Sequence, residues 1–293
     1  MGLDDAAFAE LVRVRWEQPG SVRERLAGRR QRAVLAPRGS LFMVAADHPA
    51  RGALGIGENP LAMANRRDLL GRLVTALTHP RVDGVLASAD IIEDLALLGV
   101  LDDKVVIGTM NRGGLAGARW ELDDRFTAYD AEHLAAANLD GGKVLLRIDD
   151  DDPATAPTLE ACAQAVTELA DRDLVAMIEP LPYTRDADGK AVQDRRGERL
   201  VRAVTVASGL GSTAARTWLK VPATDADIVL AASTLPALLL GGAPGPDPDA
   251  TFAAWEKALH LPTARGLVVG RALLYPPDGD VTAALTRAAA LLP

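Results

Sequence analysis

The chain has 293 residues, of which 48% are hydrophobic and 25% are charged, a balance typical of a globular protein with a full core. This length suits one α/β barrel and does not require a second domain. The formal net charge of −8 argues against nucleic acid as the main partner, because phosphate backbones bind to basic surfaces.

The first 40 residues predict a helical extension that precedes the main fold. Residues 4–17 carry apolar positions at helical spacing. The basic stretch that follows, residues 23–32, is interpreted as a solvated helix face, with binding of an anionic partner as the alternative.

From residue 41 onward, short apolar runs alternate with segments of helical periodicity. Eight runs have strand length: 41–47, 83–89, 104–110, 143–148, 174–180, 217–222, 237–242 and 266–275. Helices are expected near 64–78, 91–99, 129–138, 158–173, 196–208, 248–260 and 280–292. Eight such repeats favour a (β/α)8 TIM barrel over residues 41–293, within one domain of residues 1–293. An open, doubly wound sheet is the alternative.

Two segments interrupt this alternation where a strand ends. The polar segment 184–199 follows the fifth run, and a mobile lid and a disordered insertion are equally compatible with its composition. The glycine-rich loop 48–60 follows the first run. In a barrel both lie at the end where active-site loops gather.

Charged residues inside the apolar runs are the strongest functional signal, because an unpaired charge in a barrel core is costly. Five stand out: Asp47, Lys143, Glu179, Lys220 and Arg271. Lys220 lies in TWLKVP, between Leu219 and Val221. A lysine held among apolar neighbours or beside other cations becomes a usable nucleophile toward carbonyl groups.

The fourth run adds two cations to the expected barrel interior. It begins at Lys143, and strand alternation puts Lys143, Leu145 and Arg147 on one face. If that face points inward, both cations lie near Lys220. Glu179, which ends the fifth run before Pro180, supplies a carboxyl that could move protons.

These residues resemble those of the class I, Schiff-base aldolases with a (β/α)8 fold, especially the relatives of tagatose-bisphosphate aldolase. That family carries an Asp on strand one, a Lys on strand four, a Glu on strand five and the imine-forming Lys on strand six. The matching residues stand in VAADHPARGALG, GKVLLRIDD, AMIEPLPY and TWLKVP, and the resemblance spans about residues 41–275.

The resemblance implies a role for each charged residue. Lys220 would form an iminium ion with a ketone, which acts as an electron sink for cleavage of a C–C bond. Glu179 would move protons during dehydration of the carbinolamine. Asp47 would take or orient the hydroxyl proton, and Lys143 would assist Lys220 and stabilise negative charge.

The resemblance also implies a phosphate site after strands seven and eight. LLLGGAPG supplies Gly241 and Gly242, and VVGRALLY supplies Gly270 and Arg271. Arg147 and Arg51 are further binding candidates. Arg51 lies in DHPARGALG, a loop two residues longer than the Asp-x-Arg-Gly usual in the family.

The implied reaction is cleavage of a phosphorylated keto-sugar or keto-sugar acid without a cofactor. Similarity to the aldolase-like proteins of inositol catabolism suggests 2-deoxy-5-keto-gluconate 6-phosphate, which would give dihydroxyacetone phosphate and malonate semialdehyde. Deoxyribose 5-phosphate and ketose bisphosphates are alternatives. A barrel that binds a sugar phosphate without turnover, as a sensor or scaffold, is the alternative from another class.

Metal chemistry, membrane insertion and secretion have little support in the sequence. The four histidines, His48, His79, His133 and His260, include no pair at metal-ligand spacing. No apolar run reaches the roughly 18 residues of a membrane helix, and the first 20 residues lack a signal-peptide pattern. With a single cysteine, Cys162, a soluble and cytoplasmic protein is expected, and a homo-oligomer is possible.

Overall fold

Eight parallel strands close into a barrel in the computed structural model, which describes residues 3–34, 39–242 and 247–292. The strands are β1 (Leu41–Ala46), β2 (Gly84–Ala87), β3 (Val105–Thr109), β4 (Gly141–Ile148), β5 (Val175–Arg185), β6 (Ala191–Gln193), β7 (Thr217–Pro222), β8 (Ala237–Leu240) and β9 (Ala264–Val269). The barrel order is β1–β2–β3–β4–β5–β7–β8–β9, and β9 pairs with β1. The prediction of a (β/α)8 barrel, and not an open sheet, is confirmed.

Eleven α-helices in the described residues precede and surround the barrel. They are α1 (Asp5–Glu17), α2 (Gly20–Ala27), α3 (Arg66–Thr78), α4 (Ala89–Leu97), α5 (Ala131–Ala136), α6 (Thr155–Ala170), α7 (Gly197–Ser208), α8 (Ala226–Ala231), α9 (Pro248–Leu259), α10 (Arg271–Leu274) and α11 (Val281–Ala290). Within the described ranges, none combines the length and the apolar character needed to cross a membrane.

The core has two layers, which follow from strand alternation. Phe42 and Val44 of β1 point outward and pack with the apolar faces of the helices. Met43 and Ala45 belong to a separate cluster built of strand residues, with Leu86, Val105, Ile107, Val175, Met177, Trp218, Leu238 and Val268. This second cluster fills the barrel interior, so side chains nearer the carboxyl ends of the strands rest on an apolar floor.

The segment after α2 seals the amino-terminal end of the barrel. Asp83 and Asp140 precede β2 and β4, and each accepts a hydrogen bond from a backbone N–H of the preceding strand in the barrel. Arg29 pairs with Asp140 at 3.0 Å, and Arg32 pairs with Asp83 at 2.8 Å. The prediction of a solvated basic face is therefore wrong at Arg29, which is buried against a carboxylate.

Two predicted elements differ from the observed ones. Residues 266–275 were expected to form one strand, but β9 ends at Val269, and α10 follows after Gly270. The polar segment 184–199 is not the disordered insertion, because β5 continues to Arg185 and turns into the antiparallel strand β6; a mobile lid stays a prediction. The polar composition of this segment is consistent with a surface hairpin. Its alternation of polar and apolar residues is too weak to predict one.

Candidate active site

Four charged side chains meet at the carboxyl end of the barrel. Asp47 follows β1 directly, Lys143 lies on β4, Glu179 on β5 and Lys220 on β7. All four are at least nine-tenths buried. They alternate along their strands with outward-facing residues, so strand register alone directs them into the interior above the apolar floor.

The four groups form one chain of alternating charge. Lys143 Nζ lies 3.2 Å from Asp47 Oδ2 and 2.5 Å from Glu179 Oε2. The other oxygen of Glu179, Oε1, accepts a hydrogen bond of 2.8 Å from Lys220 Nζ. Glu179 therefore bridges the two amines, while Lys220 has a single carboxylate partner and Lys143 has two.

The carboxylates of this chain stay ionised despite their burial. Burial alone would raise the pKa of Asp47, but the nearby Lys143 and Arg112 hold it well below its ordinary value. Burial opposes ionisation of Glu179 as well, and Lys143 and Lys220 lower its pKa far below the ordinary value. Both groups therefore act as hydrogen-bond acceptors at neutral pH.

Lys143 gives up its proton more readily than an ordinary lysine. Burial lowers the pKa of Lys143 to about 8, although Asp47 and Glu179 favour its charged form. With Arg112 included, the network holds three cations against two carboxylates when both lysines are protonated. Loss of one lysine proton makes the buried network neutral, which low dielectric favours.

A cavity of about 150 Å³ opens above this network, and it is also lined by the predicted phosphate residues Gly241, Gly242, Gly270 and Arg271. A Cβ on Gly270 would come within 2.5 Å of the Ala45 carbonyl oxygen, so only glycine fits there. Burial, and then the neighbouring Arg51, lower the pKa of Arg271.

Of the two remaining binding candidates, Arg51 lines the cavity and Arg147 does not. Arg51 lines the cavity near Arg271 and contacts Glu121 at 3.2 Å. Arg147 is fully buried, bridges Glu121 and Asp124 at 3.0 Å each, and lies outside the cavity lining. Its inward direction agrees with the alternation of β4, but its guanidinium ties down the loop after β3.

Several cavity residues were not found from the sequence. Arg112, in the loop after β3, contacts Asp47 at 3.0 Å, and its charge shortly after a strand end was a usable signal. Arg195 and Gln193 reach the cavity from the hairpin formed by β5 and β6, together with Tyr183. No spacing rule indicates where a loop side chain will point.

His48, in the loop after β1, also lines the cavity. Burial lowers the pKa of His48 to about 3, so the ring is neutral at pH 7. Among the residues that the structure describes, no group of three or more His, Cys, Asp or Glu side chains could hold a metal ion.

These features define a (β/α)8 barrel with a buried network of lysines and carboxylates at the mouth where barrel enzymes bind substrate. A family model described as Cgl0159-like matches residues 39–289. The chain therefore belongs to the Cgl0159-like family. The crystal structure of Cgl0159 from Corynebacterium glutamicum is 50% identical, with 99% of this chain and 98% of that chain covered and a TM-score of 0.96.

Two solved structures with more distant similarity share the fold of this chain. An archaeal fructose 1,6-bisphosphate aldolase is 19% identical, covers 92% of this chain and 98% of its own, and has a TM-score of 0.64. A fructose-bisphosphate aldolase from Slackia heliotrinireducens is 17% identical, with 85% of both chains covered and a TM-score of 0.61. No curated protein matches the chain significantly.

Proposed function

We propose that the protein is a class I aldolase that cleaves a phosphorylated keto-sugar or keto-sugar acid through a Schiff base on Lys220. One observation carries this proposal. Lys220 is 4% exposed at the mouth of the barrel, and its amine shares the Glu179 carboxylate with a second buried amine. A lysine that merely extends from a strand end into solvent would show neither burial nor this partner.

Attack on a ketone requires a neutral Lys220 amine, and the network offers a route to it. When Lys143 has released its proton, Glu179 can pass a proton from Lys220 to Lys143 because its two oxygens contact the two amines. The neutral Lys220 then adds to the carbonyl carbon. Glu179 remains beside the nitrogen to move the protons needed for loss of water from the carbinolamine.

Cleavage requires removal of a proton from the substrate hydroxyl beside the bond that breaks. Asp47 Oδ2 is occupied by Lys143, Arg112 and Thr109. None of the described residues forms a hydrogen bond to Oδ1, so this oxygen is the one that can accept the hydroxyl proton. The bonding electrons move into the iminium group, which becomes an enamine, and the hydroxyl oxygen becomes an aldehyde carbonyl.

The cation-rich wall of the cavity supports a phosphorylated substrate. Gly241, Gly242 and Gly270 would approach the phosphate with their backbone, and Arg271 and Arg51 would supply charge. The proposed substrate is 2-deoxy-5-keto-gluconate 6-phosphate, with deoxyribose 5-phosphate and ketose bisphosphates as alternatives. A cytoplasmic enzyme of carbohydrate metabolism that acts without a cofactor fits this proposal.

The test is a turnover assay with these three substrate types, in which the released aldehyde is quantified. We expect one of them to be cleaved by the wild type and by Lys257→Met, which removes an exposed lysine of α9. Lys220→Met should lose at least a thousandfold in kcat, because the amine that forms the proposed imine is removed. Thermal stabilisation by a substrate without any turnover, unchanged in Lys220→Met, would instead support a sugar-phosphate sensor or scaffold.

A further inference from the structure

Arg112 lies in the loop after β3, is 4% exposed, and is held in one orientation by its neighbours. Its Nε donates a hydrogen bond of 2.6 Å to the Asn111 carbonyl oxygen. Asn111 is itself fixed by Leu145 of β4, whose backbone N–H and carbonyl both bond to the Asn111 amide. The Arg112 guanidinium is therefore anchored to a barrel strand.

The two terminal nitrogens of Arg112 differ in their contacts. Nη1 lies 3.0 Å from Asp47 Oδ2 and donates to the Asp47 carbonyl oxygen. Nη2 is buried and has no hydrogen-bond partner among the described residues, although Arg112 lines the cavity above Lys220. A buried N–H group without an acceptor is energetically unfavourable, so this donor favours a ligand oxygen.

The position of this donor beside Asp47 indicates which oxygen it would meet. Asp47 Oδ1 is the acceptor proposed above for the substrate hydroxyl proton. An arginine that bonds one oxygen of a carboxylate holds its second terminal nitrogen close to the same carboxylate, because both nitrogens share one carbon. A substrate oxygen that gives its proton to Asp47 therefore lies within reach of Arg112.

We infer that Arg112 is a further catalytic residue, whose Nη2 donates a hydrogen bond to the substrate oxygen that becomes the aldehyde carbonyl. This inference rests on the proposed aldolase function. As the hydroxyl proton moves to Asp47, negative charge develops on the oxygen until the C–C bond breaks and its electrons enter the iminium group. The fixed guanidinium stabilises this charge and transfers no proton itself.

A catalytic Arg112 would affect formation of the C–C bond but not formation of the imine or exchange of the α-hydrogen. A merely structural Arg112 would affect all three. Formation of the imine and exchange of the α-hydrogen of a bound ketone involve no aldehyde oxygen, whereas formation of the C–C bond does. The probe for the first steps is dihydroxyacetone phosphate, studied by borohydride trapping on Lys220 and by hydrogen exchange in D₂O. The probe for the last step is its condensation with glyceraldehyde 3-phosphate or malonate semialdehyde.

The variant is Arg112→Lys, which keeps a positive charge beside Asp47 but loses the second N–H group of the fork. The rates of borohydride trapping and of hydrogen exchange should stay within about threefold of the wild type. The rate of condensation should fall about a hundredfold, which is typical when one hydrogen-bond donor to an oxyanion is lost. Arg125→Gln, in the same loop but paired with Asp123 in solvent, is the control and should change neither.

Two results would overturn the inference. Equal losses of trapping, exchange and condensation in Arg112→Lys would mean that Arg112 only positions Asp47, and unchanged condensation would mean that it does not touch the reacting oxygen. Absence of trapping and exchange in the wild type, both with dihydroxyacetone phosphate and with acetaldehyde, the donor that deoxyribose 5-phosphate would give, would instead refute the aldolase proposal itself, together with the role of Arg112. The two failures are thus distinguishable.

Discussion

At the scale of single residues, the two lysines of the network differ in the number of carboxylates that they contact. Lys143 lies between Asp47 and Glu179, whereas Lys220 touches Glu179 alone. The amine held by a single carboxylate is the better placed to turn toward a substrate carbonyl, because fewer hydrogen bonds must break when it moves. Lys143 then serves as the acceptor for the proton that Lys220 must give up.

The roles of Lys220 as nucleophile and of Lys143 as proton acceptor predict that imine formation depends on pH. Burial lowers the pKa of Lys143 to about 8, and a lysine is mostly neutral only above its pKa, so the rate of trapping should rise with pH, pass half of its maximum near pH 8 and level off at higher pH. Lys143→Met leaves two cations against two carboxylates, so the network no longer carries an excess charge. The rise should then move to higher pH, while in Lys257→Met it should stay where it is in the wild type.

Borohydride trapping measured between pH 6 and 10 checks this expectation. A profile in Lys143→Met that coincides with the wild type would show that the network does not share its proton. A shift of the rise to lower pH would contradict the charge count on which the prediction is based.

The sequence was most informative where a charge interrupts an apolar run. Asp47, Lys143, Glu179 and Lys220 were found in this way, because a strand that is otherwise apolar fixes the direction of each side chain. Arg147 also points inward, but the sequence could not show that Glu121 and Asp124 from a distant loop would occupy its guanidinium. Long-range partners follow from loop paths, which local patterns do not encode.

At the scale of elements, the hairpin of β5 and β6 adds a wall to the cavity that the eight repeats alone would lack. Tyr183 pairs with Gln193 at its base, and Arg195 follows on the returning chain. Other arginines of this region pair with acidic side chains: Arg185, Arg196 and Arg199. Arg195, by contrast, has no hydrogen bond or ion pair with any described residue and lines the cavity.

Arg195 is therefore expected to bind an anionic group of the substrate. Arg195→Gln should raise KM about tenfold and change kcat little, because a charged hydrogen bond made equally in ground and transition states contributes to binding alone. Steady-state kinetics with the substrate found in the turnover assay measure this. Arg196→Gln, next in the chain and paired with Asp194, is the matched control; equal KM values for the two variants would refute the role of Arg195.

Most elements could be predicted because hydrophobic periodicity persists over each of them. The strand β7 was predicted at its observed bounds, and α7 within one residue. The end of β9 was missed because α10 is apolar too, and four helical residues are too few to show a period. The hairpin was missed because its returning strand has only three residues.

At the scale of the whole molecule, chemistry and stability lie at opposite ends of the barrel. The charged network occupies the carboxyl ends of the strands, while Arg29 closes the amino-terminal end through Asp140 and two backbone carbonyls. This separation is expected for a (β/α)8 barrel, in which loops at one end vary while the other end holds the strands together.

Substitution at Arg29 should therefore affect folding and leave the cavity unchanged. Arg29→Met removes one partner of a buried ion pair and should lower the free energy of unfolding by about 3 kcal/mol. Arg30→Met removes only solvent-exposed ion pairs with Asp102 and Asp103, and its effect on the free energy of unfolding should be much smaller. Urea unfolding of both variants measures the difference, and equal midpoints would contradict the structural role of Arg29.

The most direct test of the whole account is the identity of the residue that reacts with a ketone. The protein is incubated with dihydroxyacetone phosphate, reduced with borohydride, digested and mapped by mass spectrometry. The account predicts one modified peptide, with the added mass on Lys220, and no modification in Lys220→Met. Modification spread over exposed lysines, or an adduct that persists in Lys220→Met, would contradict it.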